Sequence, residues 1–389
     1  MIMIPTRYYA FRSIFVAFLA VPTILFAQET MLGLDSFPGT FLGEGRTNRE
    51  NHPAALGTVR ALMLFAKFPD GTEDRTPREL YDHLVPQAIS YFKENSNGRL
   101  NLEVTADYRW WPVSKPSTDE SYNYRKFETH RAYVAEMVSA ADPEVDFSKY
   151  TIVYVVANHA KGWPISPTLN CDKDHAILAD GNKIRHAVTF GNDSRGKNWG
   201  WQTLVHETGH IFGLPDLYNH IPIKRTNQNV HLFVGSWDPM GYQGTGSDFL
   251  AWHKYKLAWL DDKDFTVVKS GKATVELDGT NKGGGVKACV LPLSKSEAYV
   301  LEVRSRSPST PAGVLIYRVS TKAPSGRGAI QIMSAKPDEA SDDPELPRNY
   351  MTLFNALYFA PSKFEDKENN LSVDIQAKTE SGYKIEVSR

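Results

Sequence analysis

His206 and His210 stand four residues apart, with Glu207 between them. On an α-helix that spacing stacks two imidazoles one turn apart on one face, where both can ligate the same metal ion. Glu207 is placed to take a proton from a water on that metal. Gly213 can adopt positive φ, which ends the helix and turns the chain back. The turn brings Asp216 round as a third ligand. Three protein ligands leave a fourth position for water, as a catalytic zinc site requires. Zinc there would polarise a carbonyl and lower the pKa of the water toward ~7. Glu207 would accept the water's proton and return it to a leaving amine. A carboxylate as third ligand makes that water somewhat less acidic than three neutral imidazoles would. The expected chemistry is hydrolysis of a peptide bond, with Zn2+ as cofactor and a protein or peptide as substrate.

A second constellation follows at Trp237-Asp238-Pro239-Met240-Gly241-Tyr242. A methionine in a tight turn at this distance after an extended zinc motif resembles the Met-turn of metzincins, a hydrophobic floor under the metal. Tyr242 is the candidate phenol donor to a developing oxyanion. His159, His175, His220, His231 and His253 lack ligand spacing and read as surface or core histidines.

These residues need a helix, a turn and a sheet to hold them. The helix is expected from Asn198, as N-cap, to Phe212. Upstream, Thr58–Phe68 and Tyr150–Ala157 are apolar runs of buried strands. Thr76-Pro77-Arg78-Glu79 is a capping box with proline in the first turn. Pro86 kinks or splits the helix that follows. Leu100, Leu102 and Val104 alternate as in a strand, and a second helix spans Phe127–Ala141. His186–Phe190 is a further strand, either an interior one or the edge that pairs with an extended substrate. Strands alternate with helices throughout this half. After Leu260 the pattern changes to short β-rich segments divided by Gly, Pro, Ser and Asn, as in an antiparallel sandwich. The expected fold is α+β: a catalytic domain over 57–262, with the active-site helix packed on a mixed sheet, and a β-sandwich-like C-terminal domain over 263–389. Residues 28–56 read as a linker or short pro-segment. Pro337–Arg348 reads as an acidic surface loop.

The chain has 389 residues, 41% hydrophobic and 23% charged, in the globular range. A formal net charge of -1 without a concentrated basic run argues against nucleic-acid binding. Aromatic residues make up 12%, and the eight tryptophans all lie between Trp110 and Trp259. That concentration suits either a substrate cleft or a large aromatic core. Arg7 and Arg12 precede an apolar run from Ile14 to Ala27, the pattern of a signal peptide over 1–27. The run contains Pro22 and falls short of the ~20 residues that span a bilayer. Secretion, to the outside or to a periplasm, is therefore expected, with no stable membrane insertion after cleavage. Cys171 and Cys289 are too few for a disulfide scaffold, and read as one bridge or as two buried thiols.

The run HETGHIFGLPDLY, the turn Ser236–Met240 and the stretch FLAWHKYKLAWL at Phe249–Leu260 resemble the immune inhibitor A-type secreted metallopeptidases. LFAKFPD at Leu64–Asp70 and NSNGRLNLEV at Asn95–Val104 agree more weakly. The resemblance covers roughly residues 57–320. It implies a zincin fold and a zinc endopeptidase, with His206, His210 and Asp216 as ligands and Glu207 as base. It also implies a structural Ca2+, whose ligands the sequence does not place. Two departures stand out: a pro-segment too short for the usual latency, and Gly-Tyr-Gln-Gly after the methionine. The rival expectation is an inactive or weakly active binding module on a protease fold, an adhesin or surface-polymer binder. Glu207 argues against it, because a pure binder needs no base beside two ligands. A second rival is a zinc enzyme that hydrolyses a non-peptide amide.

Overall fold

The computed structural model describes residues 30–35, 42–197, 199–220, 230–245, 247–305, 310–336, 353 and 355–389. The signal-peptide stretch 1–27, the Asn198 N-cap and the acidic loop Pro337–Arg348 lie outside the described residues. Among the described residues, no helix is long and apolar enough to cross a membrane.

A short hairpin, β1 (Thr30–Met31) and β2 (Leu34–Asp35), comes first. Then follow β3 (Gly57–Lys67), α1 (Pro77–Leu84), α2 (Pro86–Asn95), β4 (Leu100–Pro112) and α3 (Phe127–Ala141). After them come β5 (Ile152–Ala157), β6 (Thr168–Asn170), β7 (Ile177–Ala179), β8 (Asn182–Ile184), β9 (His186–Phe190) and α4 (Gly200–Ile211). The Thr76 capping box forms: Thr76 Oγ1 accepts from Glu79 N at 3.3 Å, and Glu79 Oε2 accepts from Thr76 N at 2.8 Å. Pro86 splits the following helix, because it has no N–H to continue the ladder and starts α2 instead.

Five strands make one sheet in the order β4-β3-β5-β9-β6. The first four are parallel, and β6 runs antiparallel to β9. Alternate residues of β3 point to opposite faces. Val59, Ala61, Met63 and Phe65 meet Leu84, Phe92 and Leu204 of the helices on one side. Leu62, Leu64 and Ala66 meet Tyr133, Val134 and Met137 of α3 on the other. Of the two readings of His186–Phe190, the interior one holds. β9 is buried along its whole length between β5 and β6. The edge on this side of the sheet belongs to β6, whose three residues are too few for a sequence pattern, and β4 forms the other edge.

The rest of the chain comprises α5 (Ala251–Lys256), β10 (Phe265–Val267), β11 (Lys272–Asp278), β12 (Ala288–Pro292), β13 (Glu297–Arg304) and β14 (Gly313–Ser320). It continues with β15 (Ile330–Ile332), β16 (Ser362–Asp366), β17 (Leu371–Lys378) and β18 (Gly382–Ser388). Two sheets result, β10-β12-β13-β14-β15 and β11-β18-β17-β16, antiparallel except for the β10–β12 pair. Cys289, Leu291, Leu301 and Ile316 face Val373, Ile385 and Val387 of the second sheet. The opposite face of the same strands presents Val290, Val300, Leu315 and Tyr317 to the core that contains α4 and α5. A sheet covered on both faces explains why β12 to β14 read as near-continuous apolar runs. Segment SKFED, with one apolar residue, gave no strand signal, yet it pairs along β17 as β16. The architecture is mixed α and β in several sheets, consistent with α+β. Cys171 and Cys289 are both free and buried, so the bridge is not formed.

Residues 42–56, read as part of a linker or pro-segment, are packed into the body. His52 Nδ1 lies 2.9 Å from Ile211 O, and Ala55 O accepts from Trp259 Nε1 at 2.8 Å. Glu44 is fully buried, with its carboxylate 2.9 Å from His253 Nε2 and 3.4 Å from Lys256 Nζ. The other ring nitrogen of His253 lies 2.9 Å from Asp238 Oδ2. A ring with a carboxylate at each nitrogen is held as imidazolium. Burial alone would lower its pKa, but Asp238 and Glu44 raise it from 6.5 to about 9. Burial opposes ionisation of Glu44, yet Lys256 and His253 pull it from 4.5 down to about 2.

The signs follow from linkage. His253 is raised on folding, so its stabilisation is full below pH 6.5 and is lost as pH rises through about 9. Glu44 is lowered, so its contribution is full above pH 4.5 and is lost as pH falls through about 2. Lys254, pulled by burial down to about 8, works in the opposite sense from that pH upward. Calorimetry is therefore expected to show Tm falling between pH 6.5 and 8, with a shallower fall in His253→Gln. An unchanged slope in the variant would contradict the assignment.

Candidate metal centre

Helix α4 is buried along nearly its whole length. Leu204, Val205 and Ile211 pack into the main core, and Thr208 Oγ1 meets Tyr154 OH of β5 at 2.8 Å, which fixes the helix against the sheet. The helix ends as its sequence requires. Gly213 has φ +94; its N–H donates to His210 O at 3.1 Å, and Leu214 N donates to Gly209 O at 3.0 Å. This pair of bonds is a Schellman motif. A Cβ on Gly213 would lie 2.5 Å from Thr47 Cγ2. Gly213→Ala is expected to cost about 1–3 kcal/mol and to weaken metal binding by displacing Asp216. Denaturant unfolding and metal titration read the two effects.

Beyond the turn, Asp216 Oδ1 lies 3.2 Å from His206 Nε2 and 3.2 Å from His210 Nε2. The three ligand atoms lie within 4.8 Å of one another. The far nitrogens decide what the near ones can do. His206 Nδ1 is 2.8 Å from Pro239 O, and His210 Nδ1 is 2.8 Å from Leu214 O. A carbonyl only accepts, so each Nδ1 carries the proton and each Nε2 presents a lone pair. Two lone pairs and a carboxylate oxygen then face one point, which calls for a cation between them. Without one, a proton takes that place. Burial lowers the pKa of His210, but Asp216 outweighs it and raises the ring to about 9. Burial likewise raises Asp216, but His210 and the hydrogen bonds from three histidines hold it well below the carboxylate range. The residues fit a metal ion with two nitrogen ligands and one oxygen ligand. The site is a candidate metal centre.

Asp216 is itself held from behind. Its Oδ2 lies 3.2 Å from His220 Nε2 and 3.4 Å from Ser325 Oγ, and its N–H donates to Ser325 Oγ at 2.9 Å. Neither partner has ligand spacing in the sequence, because both reach Asp216 through chain turns that no local pattern announces. Met240 is fully buried under the helix: a Cβ on Gly209, between the two histidines, would meet its Sδ at 2.6 Å. Met240 O also accepts from Leu217 N at 2.8 Å, tying the floor to the Asp216 segment. Tyr242 packs edge-on against Trp199 at 5.7 Å and His231 at 4.7 Å. It is not among the residues lining the cleft that holds Glu207, His210 and Asp216. Tyr218 is, and its ring lies against His206 at 6.1 Å.

That cleft has a volume of about 470 Å³. Glu207 is buried in it, and its Oε2 accepts from Thr168 Oγ1 at 2.7 Å. Burial raises the Glu207 carboxyl, partly offset by the two histidines and Thr168. Thr168 belongs to edge strand β6, so the sheet edge and the acid group share one wall. Residues 42–56 contribute Leu42 to the same cleft. No second group of three His, Cys, Asp or Glu side chains gathers in this way among the described residues.

No family model matches the chain, and no curated protein does. Among solved structures, metalloproteinase-II from Bacteroides fragilis is similar at a TM-score of 0.29 and 12% identity, over 54% of this chain and 58% of that one. The chain thus spans little more than half the length of that protein, and the functional reading rests on the site's own geometry.

Proposed function

We propose that the chain is an exported zinc-dependent endopeptidase of zincin type, with His206, His210 and Asp216 as zinc ligands and Glu207 as general base. The convergence of two Nε2 lone pairs and one carboxylate oxygen beside a buried glutamate carries this reading. The resemblance of the HETGHIFGLPDLY run agrees with it. When bound, zinc supplies a Lewis acid for the scissile carbonyl and acidifies the attacking water. Glu207 takes that water's proton at Oε1, the oxygen Thr168 leaves free, and passes it to the leaving amine. Thr168 fixes the carboxylate in place. Edge strand β6 offers its outer main-chain groups to an extended substrate. Tyr218, on the cleft wall, is the better-placed phenol for the oxyanion role assigned from sequence to Tyr242.

Mass spectrometry of the products formed from an unfolded protein tests the reaction class. Internal cuts with new α-amino termini are expected. Their absence would reject the endopeptidase reading, and release of a non-peptide amine would assign the site to other amides.

A further inference from the structure

Beyond Glu207, His210 and Asp216, the cleft is walled by Tyr124, Phe127, Ile165 and Leu169. Phe127 and His130 lie three residues apart on one face of α3, and both line it. Ile165 is 46% exposed, although it is a large apolar side chain. Apolar walls left open beside reactive polar groups suit a substrate side chain.

The polar groups on this wall are nearly all engaged. Ser166 bonds Asp193, and Thr168 bonds Glu207. Asn170 bonds His186 and the main chain of His210. Among the buried polar side chains of the wall, His130 is the exception. It is 3% exposed, and its Nε2 lies 2.8 Å from Thr189 Oγ1. With the one hydroxyl proton of Thr189 on Pro167 O, 3.3 Å away, its oxygen accepts and His130 Nε2 is the protonated nitrogen. Nδ1 then carries a lone pair with no partner among the described residues. Burial lowers this imidazole to about 4, which keeps it neutral and the lone pair available near pH 7.

We propose that this part of the cleft is a side-chain pocket for tyrosine next to the scissile bond, with apolar walls around the ring and His130 Nδ1 accepting from the phenol hydroxyl. The position relative to a scissile bond rests on the peptidase reading; the binding of a tyrosyl side chain does not. An apolar pocket alone separates tyrosine from phenylalanine poorly, whereas an acceptor that phenylalanine would cover without pairing favours tyrosine.

Two peptide substrates differing only by tyrosine or phenylalanine at one position flanking the cut test this, with each flanking position tried in turn. At one of them the zinc-loaded protein is expected to prefer tyrosine roughly tenfold in kcat/KM. His130→Leu is expected to bring that ratio near one. A merely structural defect would lower both rates and leave the ratio intact. Binding of N-acetyl-tyrosinamide and N-acetyl-phenylalaninamide, followed by calorimetry, gives the same comparison without turnover. Tighter binding of the tyrosine amide, lost in the variant, supports the pocket even if no peptide is cut, in which case only the peptidase reading fails. A wild-type ratio at or below one in both assays overturns the pocket and needs no variant.

Discussion

Glu207→Gln is expected to lower kcat on unfolded protein by about 10²–10⁴-fold while one equivalent of zinc still binds. The carboxylate is not one of the three side chains that could hold the ion, so the candidate centre keeps its donors. Glutamine has nearly the same shape, and its amide oxygen can still accept from Thr168, which lies 2.7 Å from the native carboxylate. What it lacks is a group able to take a proton and give it back. The variant therefore separates metal binding from proton transfer at this position. Activity assays beside metal analysis read both, and near-native turnover in the variant would remove Glu207 from its role.

Asp238→Asn is expected to cost about 3–5 kcal/mol of stability, the usual consequence of removing one charge from a buried pair. Asp238 is fully buried; its Oδ1 accepts from Met240 N at 2.8 Å, and its Oδ2 accepts from Leu250 N at 2.8 Å and faces His253 Nδ1 at 2.9 Å. An asparagine can keep one of these acceptors but leaves the His253–Glu44 pair unbalanced. The same turn presents Pro239 O to His206, so its loosening frees the ring whose Nε2 faces the candidate metal centre. Losing such an outer partner costs about 10–100-fold in metal affinity. Urea unfolding and zinc competition should both register the change. Loss of stability with zinc affinity intact would show that the turn supports the core but not the ligand.

The helix that carries His206 and His210 is legible because its information is local. Two histidines at helical spacing, a terminating glycine and an aspartate three residues on need only the 3.6-residue period and a turn to converge. The capping box at Thr76 and the buried strand Ile152–Ala157 were legible for the same reason. Groups that hold the site from a distance were not. Thr168 reaches Glu207 from a three-residue edge strand, and Ser325 reaches Asp216 from 109 positions away. Glu44 is one charge in a glycine-rich stretch, and its partner His253 lies 209 positions on. Tyr242 and Tyr218 show the limit sharply. Tyr218 lines the cleft and Tyr242 is not among its lining residues, and no local pattern in the sequence sets the two apart.

The central claim is that His206, His210 and Asp216 hold one zinc ion on which hydrolysis depends. Adding zinc stepwise to chelator-stripped protein, while following cleavage of an unfolded substrate, tests it most directly. The account predicts no cleavage without metal, a rise to one equivalent of zinc, and a plateau beyond it. Cleavage by the stripped protein, or none at any zinc concentration, would contradict it.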